Sequence, residues 1–476
     1  MTSRALTAER PKDARPSGVA LLVTVAMLAP LAGCILKKPP NAAAIKTEAL
    51  PSVGVPADWK APGAGAGVVS NNWLVTFDDE GLTAAVTEAI AHNGDLRVAA
   101  ARVEQAVLYA RLAGATLYPS VDLLARGGGK LSGDNSGLQG GVLSVTWELD
   151  LWGRVRYGRA AAGADAAAAQ ADFEYARQSL AALVAKSWFL ATEAGLQAEV
   201  ARGTIRDSEE LVRLAETRSK VGVGNDEDVF VARATVGTHR DTLRQIELAR
   251  EQAIRALEIL LGRYPGGAAV VTPQLPSQPD AVPAGLPSEL LERRPDVLAA
   301  ERRVAAAFNR IHEAKAARLP AIALTAGVSS ISSDLFVLTE RDNPVWNLGA
   351  NLLAPIYKGG ALQTQVEIRT AEQKQAIASY AAIGLRAFGE VENALSGEIA
   401  AREREQILAE ALADNRRAFD VVQTQFRVGS TDLRFVTQRQ LALNATQAAV
   451  IRMRTEQRVQ RVNLHLALGG AFDVRP

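Results

Sequence analysis

Cys34 is the only cysteine among 476 residues, so an internal disulfide is excluded and any chemistry of its thiol involves a group from outside the chain. The residues before it point to that group. Arg4, Arg10, Lys12 and Arg15 precede the apolar run GVALLVTVAMLAP, and LAGC follows at Leu31–Cys34. This is the layout of a secretory signal segment, and a small residue before a terminal cysteine is the pattern of bacterial lipoproteins. The expectation is a signal peptide over 1–33 and a palmitate-type lipid on Cys34. One acyl chain holds a protein to a membrane only marginally, so stable anchoring requires more than one. Ile35, rather than aspartate, follows the cysteine, which favours sorting to the outer membrane.

Other reactive constellations are incomplete. His312 opens HEAKA, which has the first two residues of a zinc-protease helix but not its second histidine, and the chain has four histidines in all. GGGK at Gly127–Lys130 lacks the glycine spacing of a phosphate loop. GAGAG in the proline-rich segment before Ser70 follows no strand, and no G-x-S-x-G elbow is present. No catalytic residue, cofactor or metal site is expected. A net charge of +1 argues against nucleic acid as a partner. Removing 1–33 takes four basic and two acidic groups from totals of 53 and 52, leaving −1.

The densest acidic run is Asp226, Glu227 and Asp228, after the glycines of VGVGND. Acids there cap a helix and favour its positive end. If several chains repeat them around an axis, they also form a cation-attracting ring. A second turn, VGSTD, supplies Asp432 beside Arg434. Gly222, Gly224 and Gly429 mark these turns, and what positions them is a duplication. Asp95, Val103 and Pro119 match Asp296, Val304 and Pro320 at an offset of 201, and Gly222, Val229, Leu257 and Gly262 match Gly429, Val436, Leu464 and Gly469 at 207. Shared glycine, proline and aspartate at constant spacing indicate one unit present twice, over 73–262 and 288–470. A lipidated extended arm over 34–72, a proline-rich linker over 263–287 and a C-terminal end over 471–476 complete the chain.

Each unit follows one plan. An amphipathic helix, from about Asp79 to Leu117 or Ser288 to Arg318, ends before proline. A hairpin follows, over 119–151 or 320–356. In it Leu143, Val145, Trp147, Leu149 and Leu151 alternate with Ser144, Thr146, Glu148 and Asp150, and the second hairpin repeats the alternation with Trp346, Leu348, Ala350 and Leu352 against Asn347, Gly349 and Asn351. Period two gives one apolar and one polar face, flanked by Tyr118, Trp152 and Tyr357. Helical periodicity then runs from about Gly153 to Ser219 and from about Ala361 to Arg427, on the order of 100 Å each. A returning helix ends at Gly262 or Gly469. The returning helices carry heptads through Val229, Val236, Leu243, Arg250 and Leu257, and through Val436, Leu443, Val450, Gln457 and Leu464, which predicts coiled-coil pairs with Arg250 and Gln457 as polar interruptions on one rung. The fold class is α+β.

Strands of this length and alternation suit a membrane barrel. Four cannot close one, and open edges in lipid leave backbone groups unpaired. The barrel must be shared between copies, and two, three or four copies give 8, 12 or 16 strands. The alternative is a periplasmic coiled-coil lipoprotein scaffold without channel activity, which explains the heptads but not the alternating strands.

LAGC, LYPSVDL, TWELDLWGR and GLPSELLERRPDVLAAERRV, with the duplicated plan, resemble the TolC-like outer-membrane efflux family in its lipoprotein branch of OprM or NodT type, over about Trp73 to Gly470. The resemblance implies a homotrimer with a 12-stranded barrel in outer-membrane lipid and a periplasmic tunnel of helices. It also implies a periplasmic adaptor and an inner-membrane RND pump as partners, and passive conduction of substrates to the exterior. Gly222, Gly224 and Gly429 become periplasmic tip turns. Relatives often carry carboxylates just inside the helix after the second turn, where this chain has Phe435 and Gln438. Asp226, Asp228, Asp432 and Arg434 are therefore the candidate gate.

Overall fold

A computed structural model describes residues 36–62, 71–126, 139–279, 282, 284, 285, 287–332 and 344–472. The signal segment, Cys34, GAGAG and GGGK lie outside the described residues. The fold divides into two compact units, one drawn from Met1–Asn41, Leu108–Gly163 and Ala305–Lys374, the other from Ala42–Val107, Ala164–Val304 and Gln375–Pro476. The helices are α1 (Ala42–Ala49), α2 (Glu80–His92), α3 (Gly94–Ala115), α4 (Arg154–Lys220), α5 (Asp226–Leu260), α6 (Pro287–Arg293), α7 (Pro295–Ala316), α8 (Ala361–Arg427) and α9 (Leu433–Ala467). Both long helices have 67 residues and both returning helices 35.

The first unit holds one antiparallel sheet, β1 (Ser120–Arg126), β2 (Gln139–Leu149), β3 (Ala321–Ser332) and β4 (Val345–Leu353), in that order. Register does what the alternation requires. Val121, Val145, Ala326 and Leu348 stand opposite one another, as do Leu123, Leu143, Val328 and Trp346. Asp122, Ser144, Gly327 and Asn347 form a row on the other face. The apolar columns of both hairpins therefore share one face, because directly paired residues point the same way.

The segment ELDLWGR joins this sheet to α4. Glu148 takes a bidentate contact from Arg154, 3.0 and 2.7 Å, and Asp150 accepts the Val155 and Arg156 amides at 3.0 and 2.9 Å. One carboxylate thus caps the helix, satisfying two amides that the helix itself cannot. Gly153, at φ 78°, makes the turn between them, a backbone region that favours glycine.

In the second unit, the single helix expected from Asp79 to Leu117 is two. Asn93 leaves helical geometry at ψ 130° and separates α2 from α3, and its side chain accepts the Leu96 amide at 3.0 Å to cap α3. The helix expected from Ser288 to Arg318 is likewise split, into α6 and α7. Pro295 opens α7, where its missing amide costs nothing, and proline disfavours helical geometry in the residue before it. The breaks are equivalent: Asn93 donates to the Leu260 carbonyl at 3.0 Å and Arg294 to the Ala467 carbonyl at 3.2 Å, carbonyls 207 residues apart at the ends of α5 and α9. Arg294 is buried, its guanidinium neutralised by Asp296 at 2.8 Å and Glu390 at 2.6 Å.

Two further expectations change. The arm is not wholly extended: α1 lies within it and Ile45 is buried, while the Glu392 carboxylate accepts the Lys60 and Ala61 amides. Arg250 is exposed, whereas Gln457 is buried and bonds Glu405 at 2.9 Å. The rung therefore has one polar interruption, not two. The linker lies against the helices: Glu258 accepts three successive amides, Gly267 to Ala269, and Arg458 donates to the Pro276 carbonyl. The main apolar core gathers Trp73, Phe77, Leu82, Trp188, Phe189 and Leu257.

Gly262, at φ 74°, would place a Cβ 2.6 Å from the His92 carbonyl oxygen, while a Cβ on Gly222, at φ 75°, meets nothing within 4 Å. Gly222→Ala should then cost about 1–2 kcal/mol of backbone strain, and Gly262→Ala a further ~1–3 kcal/mol for displacing the carbonyl. Thermal unfolding followed by helical circular dichroism compares the two, and equal losses would show that the contact is not rigid.

Candidate channel site

Two features bear on a channel, one in each unit. In the first unit the sheet presents aromatic side chains at one end: Tyr118 before β1, Trp152 after β2 and Tyr357 after β4 are all exposed. Trp152 still donates its ring N–H to the Pro320 carbonyl at 2.7 Å. Such amphipathic rings suit a membrane–water boundary. Along β4 every residue is exposed, including Leu348 at 87% and Trp346 at 77%. Strands β1 and β4 are the outer strands of the four. No helix among the described residues is long and apolar enough to cross a membrane.

In the second unit, two turns join the long helices to the returning ones, and their geometry is the same. At the end of α4 the Gly222 amide reaches the Ser219 carbonyl and the Val223 amide the Arg218 carbonyl; at the end of α8 the Gly429 amide reaches Phe426 and the Ser430 amide Gln425. Both glycines have positive φ, 75° and 84°. This double bond pattern closes a helix and satisfies carbonyls left open in its last turn. Gly224 packs closely beneath Arg218, where a Cβ would come within 2.9 Å of that side chain.

Asn225 caps α5, accepting the Asp228 amide at 2.8 Å, and Asp226 accepts the Ser219 hydroxyl at 2.7 Å, tying the start of α5 to the end of α4. Asp226 and Glu227 are exposed and Asp228 half-buried. In the other turn, Asp432 stands at the cap position of α9 without a side-chain cap bond, and pairs instead with Arg434 at 3.8 Å, both exposed. An exposed pair at that distance contributes little to stability. No hydrogen bond or ion pair among the described residues joins the acids of the first turn to Asp432 or Arg434.

Arg218 makes the connection between the turns. Its Nη1 donates to the Phe426 carbonyl at 2.6 Å, and its guanidinium lies 4.8 Å from the Phe426 ring centroid. It thereby caps α8 from α4 and adds a cation–π contact. Behind it Leu211, Val229, Phe419, Phe426, Leu433 and Val436 form a separate apolar cluster. The sequence offers no signal for Arg218, since its partner is 208 residues away.

The helices behind the turns are fastened pairwise. Arg233 pairs with Glu216 at 2.6 Å and Arg240 with Glu209 at 2.7 Å between α5 and α4, and the Arg233 contact holds the Glu216 carboxyl below its usual range. Thr204 bonds Asn444, and Ser208 bonds Gln440, between α4 and α9 at 3.0 and 3.3 Å. Burial pushes the His239 imidazole down from its ordinary pKa. Among the described residues no group of three or more His, Cys, Asp or Glu side chains could hold a metal.

Comparison with known proteins agrees with this architecture. Residues 85–263 and 286–470 match the model of the outer membrane efflux protein family. The chain is 31% identical over 446 residues to the pyoverdine export outer membrane protein OpmQ of Pseudomonas aeruginosa, covering 88% of this chain and 92% of that one. To the cation efflux system protein CusC of Escherichia coli O6:H1 it is 30% identical over 409 residues, covering 84% and 88%. Among solved structures, the outer-membrane channel OprN superposes with a TM-score of 0.79 at 26% identity, over 89% of this chain and 99% of that one. Members of this family form trimers and work with adaptor and inner-membrane pump partners. The fold, a four-stranded sheet together with long helices, is thus similar to that of an outer-membrane channel, and the chain belongs to the outer membrane efflux protein family.

Proposed function

We propose that this chain is the exit duct of a tripartite efflux pump: a homotrimer whose three sheets close a 12-stranded barrel, and which passively conducts cargo received from a periplasmic adaptor and an inner-membrane RND pump. The observation that carries the reading is the register, which brings the apolar columns of both hairpins to one face and leaves β1 and β4 as outer strands. In lipid those strands need partners, because unpaired backbone groups there cost several kcal/mol each. The two units of the chain, 73–262 and 288–470, are read as copies of one ancestral unit, supported by helices of equal length. The relatives are named for pyoverdine export and cation efflux, so the family serves unlike cargoes, and this chain's cargo is set by its pump.

Charge separates the two faces. Leu348→Arg should destabilise the assembled barrel by roughly 2–4 kcal/mol if the site lies near the bilayer midplane, whereas Asn347→Arg, on the polar face, should be tolerated. The readout is the yield of heat-resistant trimers that conduct in planar bilayers. Similar yields for both variants would refute the face assignment, and a wild-type protein without conductance would favour the coiled-coil scaffold.

The lipid belongs to the same reading. Cys34 is the acylated residue that follows a cleaved signal peptide, and the barrel holds the protein in the membrane independently of it. Cys34→Ser should lose all metabolically incorporated palmitate yet remain in the outer-membrane fraction; label persisting on the variant would place the lipid elsewhere.

The turns at Gly222, Gly224 and Gly429 are read as the periplasmic tip, with Asp226, Asp228, Asp432 and Arg434 as the gate. Threefold repetition of Asp226 and Asp228 concentrates negative charge that attracts cations. The double variant Asp226→Asn/Asp228→Asn should lower cation selectivity and weaken block by trivalent cations added from the periplasmic side. Unaltered selectivity and block would reduce both acids to their helix-start roles beside Ser219 and Asn225.

A further inference from the structure

We propose that a cavity among α4, α8 and α9 binds a small organic monocarboxylate, with the Lys186 ammonium as its counter-charge. The cavity is ≈ 380 Å³ and is lined by Tyr175 and Lys186 of α4, Glu390 and Asn393 of α8, and Gln460 and Asn463 of α9. Residues three, four, seven or eleven apart fall on one face of a helix, so each helix turns one polar stretch toward the same space. The volume lies within the range of small-molecule sites, roughly 300–1,000 Å³.

Lys186 is half-buried, and among the described residues it makes no hydrogen bond or ion pair. Burial alone pushes its ammonium below the ordinary lysine range, with no carboxylate opposing that effect. Taking a charge partly out of water without a partner is costly, and an anion in the cavity offsets that cost. Glu390 is the only acid in the lining, but its Oε2 accepts the buried Arg294 guanidinium at 2.6 Å, so it is committed elsewhere.

The remaining groups define the ligand. One ammonium matches one negative charge; phosphate recognition favours arginine forks, and none lines this cavity. Asn393 carries two amide N–H donors, Gln460 and Asn463 each keep a second N–H beyond the one given to Glu456 at 2.5 Å and to Gln460 at 3.4 Å, and burial raises the Tyr175 phenol, which keeps its proton for donation. Ala394 and Leu466 supply an apolar wall for the carbon skeleton. As a binding site the cavity stands independently of the exit-duct reading; as a contact for anionic cargo it rests on that reading.

Benzoate is the probe, and benzyl alcohol its uncharged counterpart. Calorimetric titration into the full-length protein in detergent at low salt should give saturable benzoate binding at one site per chain, with benzyl alcohol at least about tenfold weaker. Lys186→Gln should weaken benzoate by about tenfold or more, and Lys186→Arg should restore it to within a few-fold. No saturable benzoate binding, equal binding of the two probes by the wild type, or equal benzoate binding by Lys186→Gln overturns the site. Conductance measured on the same preparations separates the two readings. Protein that binds benzoate through Lys186 but does not conduct keeps the site and loses the duct; protein that conducts, yet binds benzoate equally well in Lys186→Gln, keeps the duct and loses the site.

Discussion

Backbone meets backbone where each returning helix ends. Gly262 lies against the His92 carbonyl, where a Cβ would come within 2.6 Å, and Gly469 less tightly against the Arg293 carbonyl at 3.3 Å, both at a positive φ that strains any other residue. At each contact the broken helix sends a side chain back, Asn93 to Leu260 and Arg294 to Ala467, and so binds a carbonyl the helix end leaves open. The remaining architecture is referred to these two points. A helix of 35 residues is about 50 Å long and stiff, so fixing one end fixes the position of the distant turn. Ion pairs such as Arg233–Glu216 and the bonds from Thr204 and Ser208 then set register along the way.

Much of this was legible because it is periodic or punctuated. The second long helix runs from Ala361 to Arg427 as its pattern indicated, and the alternation at Leu143–Leu149 predicted both faces of the sheet. What escaped is what depends on distant partners. The helical pattern passes through Asn93 without interruption, and only the Leu260 carbonyl, 167 residues away, explains why the chain breaks there. Glycine and proline at constant spacing suggested a repeat, but Asn93 and Arg294 are different residue types whose common role, an N–H donated to a carbonyl at the end of α5 or of α9, depends on those distant partners.

Arg250 illustrates a different limit. The seven-residue column is buried at Val229, Val236 and Leu257 yet exposed at Arg250; periodicity gives the face a residue takes, not whether a neighbouring element covers it there. From the next turn Ile254, Leu257 and Glu258 are buried again. The turns were similarly half legible. Their glycines and caps are local chemistry, whereas the Arg218 contact that joins them is tertiary.

The open sheet also constrains how the molecule reaches its final state. A sheet whose outer strands β1 and β4 carry no pairing on one side has no low-energy resting place in hydrocarbon as a single chain. On the proposed reading, in which several copies share one barrel, insertion and association are one event whose rate rises with the local density of chains. Tethering each newly secreted copy to the bilayer surface before its strands enter confines the search to two dimensions and raises the effective concentration of partners. A lipid on Cys34, as proposed above, contributes little to holding the finished barrel in place and would act chiefly during biogenesis, as a determinant of assembly kinetics.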